Sequence, residues 1–183
     1  MPVTALDATT ALLVIDLQKG ITALPCAHPT SEIVERSARL AAAFRARDLP
    51  VVLVNVDRGA PGRTEAGTRG GTPPADWTEL APELDRQPAD LTVTKQTWGA
   101  FHGTGLDAEL RHRGVTQVVV TGIATSMGVE STARAAHEHG YHVTVATDAV
   151  TDTDEEAHRR GLEKIFPLLG ETGSTQEIIG LLG

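Results

Sequence analysis

The chain has little of several things, and each shortage excludes something. A single cysteine, Cys26, occurs in 183 residues. That excludes an internal disulfide and a cysteine-rich zinc site, and it fits a reducing, cytoplasmic setting. Aromatic residues make up 3%, and no basic run interrupts a net charge of −8. Neither a base-stacking platform nor a phosphate-binding stripe is therefore offered to nucleic acid. No apolar stretch is long enough to span a bilayer. The opening "MPVTALDATT" lacks the basic start and apolar run of a secretion signal, so none is expected. What is present is 40% hydrophobic and 22% charged residues. That balance and length suit one globular domain over residues 1–183.

Three short apolar runs stand out: "ALLVID" (11–16), "VVLVNV" (51–56) and "QVVVTG" (117–122). They are apolar on both faces, as strands of a parallel sheet covered on both sides must be. "LTVTK" (91–95) and "HVTVAT" (142–147) are more polar strand candidates. Helical patterns lie between them. In "TSEIVERSARLAAAFRARD", Ile33, Ser37, Leu40, Ala41 and Phe44 share a face, and Thr30 or Ser31 can cap the start. "GLDAELRHRG" predicts a short helix closed by glycine. "DTDEEAHRRGLEKIF" predicts another, with its acids in the first turn where the helix dipole favours them. Strands alternating with helices imply right-handed βαβ units and an α/β fold.

In open parallel sheets, ligands bind beyond the carboxyl ends of the strands. Asp16, Asn55 and Asp57, Lys95, the turn "TGIATSMG" and Asp148 stand at the five predicted strand ends. An acid, a base and a helix start thus converge on one edge. The plainer reading is that strand-end aspartates only cap turns.

The segments "LLVIDLQKG", "VTKQTWGAFHGTGL" and "VVVTGIATSMGVESTARAAHEHGY" resemble the three signature segments of the isochorismatase-like (cysteine hydrolase) superfamily. The resemblance runs from Ala11 to the tail "IFPLLGETGSTQEII". It implies a Rossmann-like three-layer sandwich with a mainly parallel sheet of five or six strands. It also implies assembly as a homodimer or homotetramer. Many members carry an Asp–Lys–Cys triad. Asp16 and Lys95 match the first two, while the cysteine position falls on Gly128. Cys26, in "LPCAHP", does not replace it. Isochorismatases of the family hydrolyse a vinyl ether without that cysteine, so Gly128 removes thioester chemistry but not hydrolysis. A cis peptide is expected at Ile123-Ala124, aiming the N–H groups of Ala124 and Gly128 into the pocket as an anion-binding pair. Phe101 matches the family's "AF" pair, and the resemblance makes it, with Ala124, Gly128 and Trp98, a candidate oxyanion or substrate-binding residue. Trp98 either walls the pocket or serves a core or interface.

Lys95 beside Asp16 is expected to lower the acid's pKa, which suits a general base for water. A vinyl ether instead needs a proton donor, so both roles stay open. The zinc-binding members use histidines after the second strand, and here no histidine lies between 29 and 101. Neither a metal site nor a cofactor is expected. Arg58, Arg63 and Arg69 in the Gly-rich loop 57–75 are either solvated charges or a clamp for a substrate carboxylate. The expected function is hydrolysis of a small organic molecule by Asp-assisted water attack, with an isochorismate-type vinyl ether as the named substrate. The alternatives are an amidase using directly activated water and a catalytically silent binding or assembly module.

Overall fold

Six parallel strands in the order β3-β2-β1-β4-β5-β6 make one sheet. The computed structural model describes residues 2–57, 59, 62–65 and 73–183. The first half comprises β1 (Thr10–Ile15), α1 (Lys19–Thr22), α2 (Thr30–Arg45), β2 (Val51–Val56), a 3-10 turn (Pro82–Leu84), β3 (Leu91–Lys95) and α3 (Leu106–His112). The second half comprises β4 (Gln117–Ile123), a π-turn (Thr125–Val129), α4 (Glu130–Glu138), β5 (His142–Thr151) and α5 (Glu155–Arg160). A second π-turn (Gly161–Ile165), α6 (Phe166–Leu169), β6 (Glu171–Gly173) and α7 (Thr175–Leu181) complete it. No helix among the described residues is long and apolar enough to cross a membrane.

Period-two alternation sorts the central strands into two cores. Ala11, Leu13 and Ile15 of β1 join Val52, Val118 and Val120 against Leu110, Ala133 and Phe166. Leu12 and Val14 join Leu53 and Val119 against Ile33, Leu40, Phe44 and Ile178. The sheet is thus covered on both faces, and the predicted α/β sandwich is the one found. All six residues of β1 and all seven of β4 are buried. Full burial explains why these strands read as continuous apolar runs rather than alternating ones.

Three local expectations are corrected. Pro29 occupies the N-cap of α2, and no side chain caps it. The Thr30 hydroxyl instead donates to the Thr22 carbonyl at 2.8 Å, tying the helix start to α1. β5 does not stop at Thr147. Its register against β4 slips, with Val120 opposite Val145 but Gly122 opposite Val150, and pairing continues to Thr151. The acid at the end of this strand is therefore Asp152, not Asp148. Asp148 accepts hydrogen bonds from the Thr175 N–H (2.7 Å) and hydroxyl (2.9 Å), the structural role expected of it.

Candidate active site

Strand order reverses between β1 and β4, and the carboxyl ends at such a switch point are where α/β sheets bind their ligands. Two features shape this one. Gly122 has φ 119°, and a Cβ there would lie 2.0 Å from the Ile15 carbonyl oxygen, so only glycine lets β4 close on the end of β1. Asp16 follows β1 with φ 53°, a left-handed conformation that aspartate tolerates better than most residues. The chain turns there, and Gln18 secures the exit. Its side-chain amide donates to the Val56 and Trp77 carbonyls, both at 3.0 Å, and accepts from the Val56 N–H at 2.7 Å.

Lys95 ends β3, two strands from β1. Its Nζ nevertheless donates to Asp16 Oδ2 at 2.7 Å and to the Thr97 carbonyl at 3.1 Å. Asp16 is 5% exposed and Lys95 2%. Among the described residues, Asp16 Oδ1 is buried with no hydrogen-bond partner. Burial pushes the Asp16 carboxyl up to about 6, outweighing the charge and hydrogen bond of Lys95. This corrects the expected direction. The ammonium does pull the pKa down, but desolvation of a carboxylate with one bare oxygen is the larger effect.

Gly128 lies in the first π-turn and forms the opposite wall. A Cβ on it would meet Ile15 Cγ2 at 3.0 Å and Asp16 Oδ2 at 3.1 Å. The turn follows a cis peptide at Ile123-Ala124, at the expected position. The Ala124 carbonyl accepts from the N–H groups of Met127 and Val129, both at 3.1 Å. The Thr132 hydroxyl donates to the Gly128 carbonyl at 2.6 Å and accepts the Ala100 N–H at 3.1 Å. Thr132 therefore ties the Gly128 turn to the segment whose Thr97 carbonyl holds Lys95.

The structure brings Asp16, Lys95 and Gly128 together, with Ala124 opening the same turn. Trp98 sits 59% exposed, three residues past Lys95, beside Gly99, which packs on Ser131 of α4. Met127, next to Gly128, is also exposed. Phe101 stands apart from this group. It is buried in the core, its ring 5.9 Å from Tyr141 and 5.3 Å from His139 by centroids, at the amino end of β5. Arg63 is described and exposed, while Arg58 and Arg69 lie outside the described residues.

Sequence reasoning missed Thr132, Asp152 and His158. His158 is buried. Its Nδ1 lies 2.8 Å from the Thr125 hydroxyl, and its ring is 4.8 Å from that of His28. Burial, then the neighbouring His28, holds its pKa below the ordinary range, against Asp152 and Glu155. Because β5 runs past its slip to Thr151, Asp152 and α5 fall behind the Gly128 turn, a placement that the strand pattern does not announce.

A family model described as the isochorismatase domain matches residues 10–177. The isochorismatase family protein YwoC of Bacillus subtilis (strain 168) is 42% identical, covering 93% of this chain and 92% of that protein. Ureidoacrylate amidohydrolase RutB of Methylobacterium radiotolerans is 32% identical, covering 98% of this chain and 82% of its own. A solved isochorismatase family protein from Burkholderia thailandensis superposes with a TM-score of 0.93 at 42% identity, covering 97% of each chain.

Proposed function

This chain belongs to the isochorismatase family, and from that premise we propose that it hydrolyses a small vinyl ether of the isochorismate type, with Asp16 as general acid. The observation that carries this reading is the Asp16 carboxyl, raised by burial to about 6 beside Lys95 and faced by a glycine. At pH 7 such a carboxyl is protonated in roughly a tenth of molecules, against fewer than about one in a thousand for an ordinary aspartate. A vinyl ether needs that proton. The C=C pair takes it from Asp16 to form a C–H bond, and positive charge develops on the ether carbon and oxygen. Water adds to that carbon and returns a proton to the Asp16 carboxylate. The hemiketal then breaks its C–O bond, its hydroxyl proton passing to the leaving oxygen, to give a ketone and an alcohol. One water is consumed, and no covalent enzyme intermediate forms. Lys95 fixes the carboxyl through its hydrogen bond to Oδ2. The exposed side chains of Trp98 and Met127 supply an apolar wall at the cleft mouth. The same proposal includes self-association as a homodimer or homotetramer.

The 32% identity to ureidoacrylate amidohydrolase RutB favours a second reading. There Asp16 acts as the ionised base: it takes a proton from water, the oxygen adds to a ureido or amide carbonyl, and the proton passes to the departing nitrogen.

One experiment separates the two. Turnover of a carboxylate-bearing vinyl ether and of a ureido acid is measured, with kcat/KM followed from pH 5 to 8. The acid role predicts vinyl ether cleavage whose kcat/KM falls as pH rises through about 6, where Asp16 ionises. Ureido cleavage with kcat/KM rising through the same range would overturn the acid role and install the amidase.

A further inference from the structure

Lys95 and Gly128 account for the front of the cleft but not for what holds the Gly128 turn from behind. Asp152, immediately after β5, is 1% exposed. Its Oδ2 accepts both the N–H and the hydroxyl of Ser126, each at 2.7 Å. Its Oδ1 accepts the Asp154 N–H at 3.2 Å, and its carbonyl accepts the Ala27 N–H at 2.8 Å. Among the described residues no lysine or arginine pairs with it. A buried carboxylate without a cation is costly, and here the compensation is several N–H and O–H donors. Two of them converge on one oxygen, which a carboxylate accepts readily because it has no proton to place.

The neighbouring Thr125 is held by His158 from α5 at 2.8 Å. Thr125 and Ser126 are thus pinned from the end of β5 and from α5, while Thr132 of α4 grips the Gly128 carbonyl at 2.6 Å. Gly128 packs so close to Asp16 that a single added carbon would sit 3.1 Å from Oδ2. The position of the turn therefore sets how closely the Asp16 carboxyl is covered.

We propose that Asp152 is a positioning residue for the cleft: by holding both donors of Ser126 it sets the Gly128 turn against Asp16 and keeps that carboxyl dry. The inference rests on the reading of the Asp16 cleft given above, but its test requires no substrate.

The 13C resonance of the Asp16 carboxyl is titrated by NMR in the full-length protein, in the wild type and in Asp152→Ala, Asp152→Asn and Ser126→Ala. Asp152→Ala releases Ser126, and the Asp16 midpoint should fall by about one pH unit or more as water enters. Asp152→Asn removes the same negative charge and keeps an acceptor for Ser126, losing only the acceptor for the Asp154 N–H, and the midpoint should fall much less than in Asp152→Ala. This pair separates position from charge. Equal falls in both variants would mean a long-range charge effect and would overturn the proposal, as would an unmoved midpoint in a folded Asp152→Ala. Ser126→Ala changes no charge and should lower the midpoint by less. If Asp152→Ala does not fold, Ser126→Ala decides alone, and a wild-type midpoint there defeats the idea. In any assay that detects turnover, Asp152→Ala should lower kcat by about tenfold or more with KM little changed, as expected for a misplaced reacting group. A protein with no turnover on any vinyl ether or ureido acid, yet with the expected NMR shifts, would remove the proposed reaction and leave the positioning role standing.

Discussion

The five-residue strand β3 is flanked by two ion pairs, a part-buried one before it and a buried one at its end, and the two are built to opposite plans. Before it, Asp90 receives Arg45 through two bonds, Nε at 3.0 Å and Nη2 at 2.7 Å, and the Gln87 N–H at 2.7 Å. Arg45 also donates to the Leu84 carbonyl at 3.1 Å. Both carboxylate oxygens are used, in the fork geometry that suits a guanidinium. At the other end, Lys95 touches one oxygen of Asp16 and leaves the second bare. The chain also takes a left-handed conformation at Asp16. The first pair fastens α2 to the start of β3. The second holds an incompletely satisfied carboxyl in a dry cleft, a cost that stability alone does not explain. Satisfaction of the acceptors, more than burial, separates an acid that ties structure from one poised to react.

The largest expected effect breaks the comparison most directly. Asp16→Asn keeps shape but removes the proton donor, and turnover should fall about 10²–10⁴-fold. Asp90→Asn, with the same chemical change at the other end of the strand, should leave turnover within about threefold, since nothing it touches reaches the cleft. Steady-state assays of the two purified variants decide this. If Asp90→Asn is the more damaging to kcat, the assignment of roles is inverted.

Stability should show the reverse order. Asp90→Ala strands Arg45 against the Leu84 carbonyl and should cost about 2–4 kcal/mol, somewhat less than the ~3–5 kcal/mol of a fully buried pair because Arg45 keeps some solvent. Urea unfolding measures it. A loss below about 0.5 kcal/mol would place this pair among ornamental surface bridges.

The contrast between the pairs was only half legible in the amino-acid order. β1, β2 and β4 are readable because strands buried on both faces leave unbroken apolar runs, and Asp16, Lys95 and the Gly128 turn follow at their ends. β6 is three residues of Glu-Thr-Gly and carries no pattern. The slip in β5 hid Asp152, because a strand that loses register also loses its alternation. Thr132 and His158 each bond a group 32 or 33 positions away, Ala100 and Thr125, a relation no local pattern encodes. The direction of the Asp16 shift was misjudged for a related reason. Spacing and topology announce a neighbouring charge, but the depth of burial that outweighs it emerges only from packing.

The smallest expected effect on stability tests what dries Asp16. The backbone at Gly128 is not left-handed, so alanine can adopt it, and the loss of unfolded-chain freedom favours the substitution by about 0.5–1 kcal/mol. Against that, the new Cβ would meet the buried Ile15 methyl at 3.0 Å and Asp16 Oδ2 at 3.1 Å, so something must yield by a few tenths of an ångström. The two terms nearly offset, and Gly128→Ala should change unfolding free energy by less than about 1 kcal/mol. Activity should not be spared. The oxygen that must yield is the one Lys95 holds, so the carboxyl turns from its working position, and turnover should drop about tenfold or more. Urea midpoints and kcat are measured on the same preparation. A stable variant with impaired turnover would show that the glycine serves the acid beside it rather than the fold. Full turnover at unchanged stability would mean that the cleft accommodates a side chain freely, and that closeness to Gly128 is not what sets Asp16 apart from Asp90.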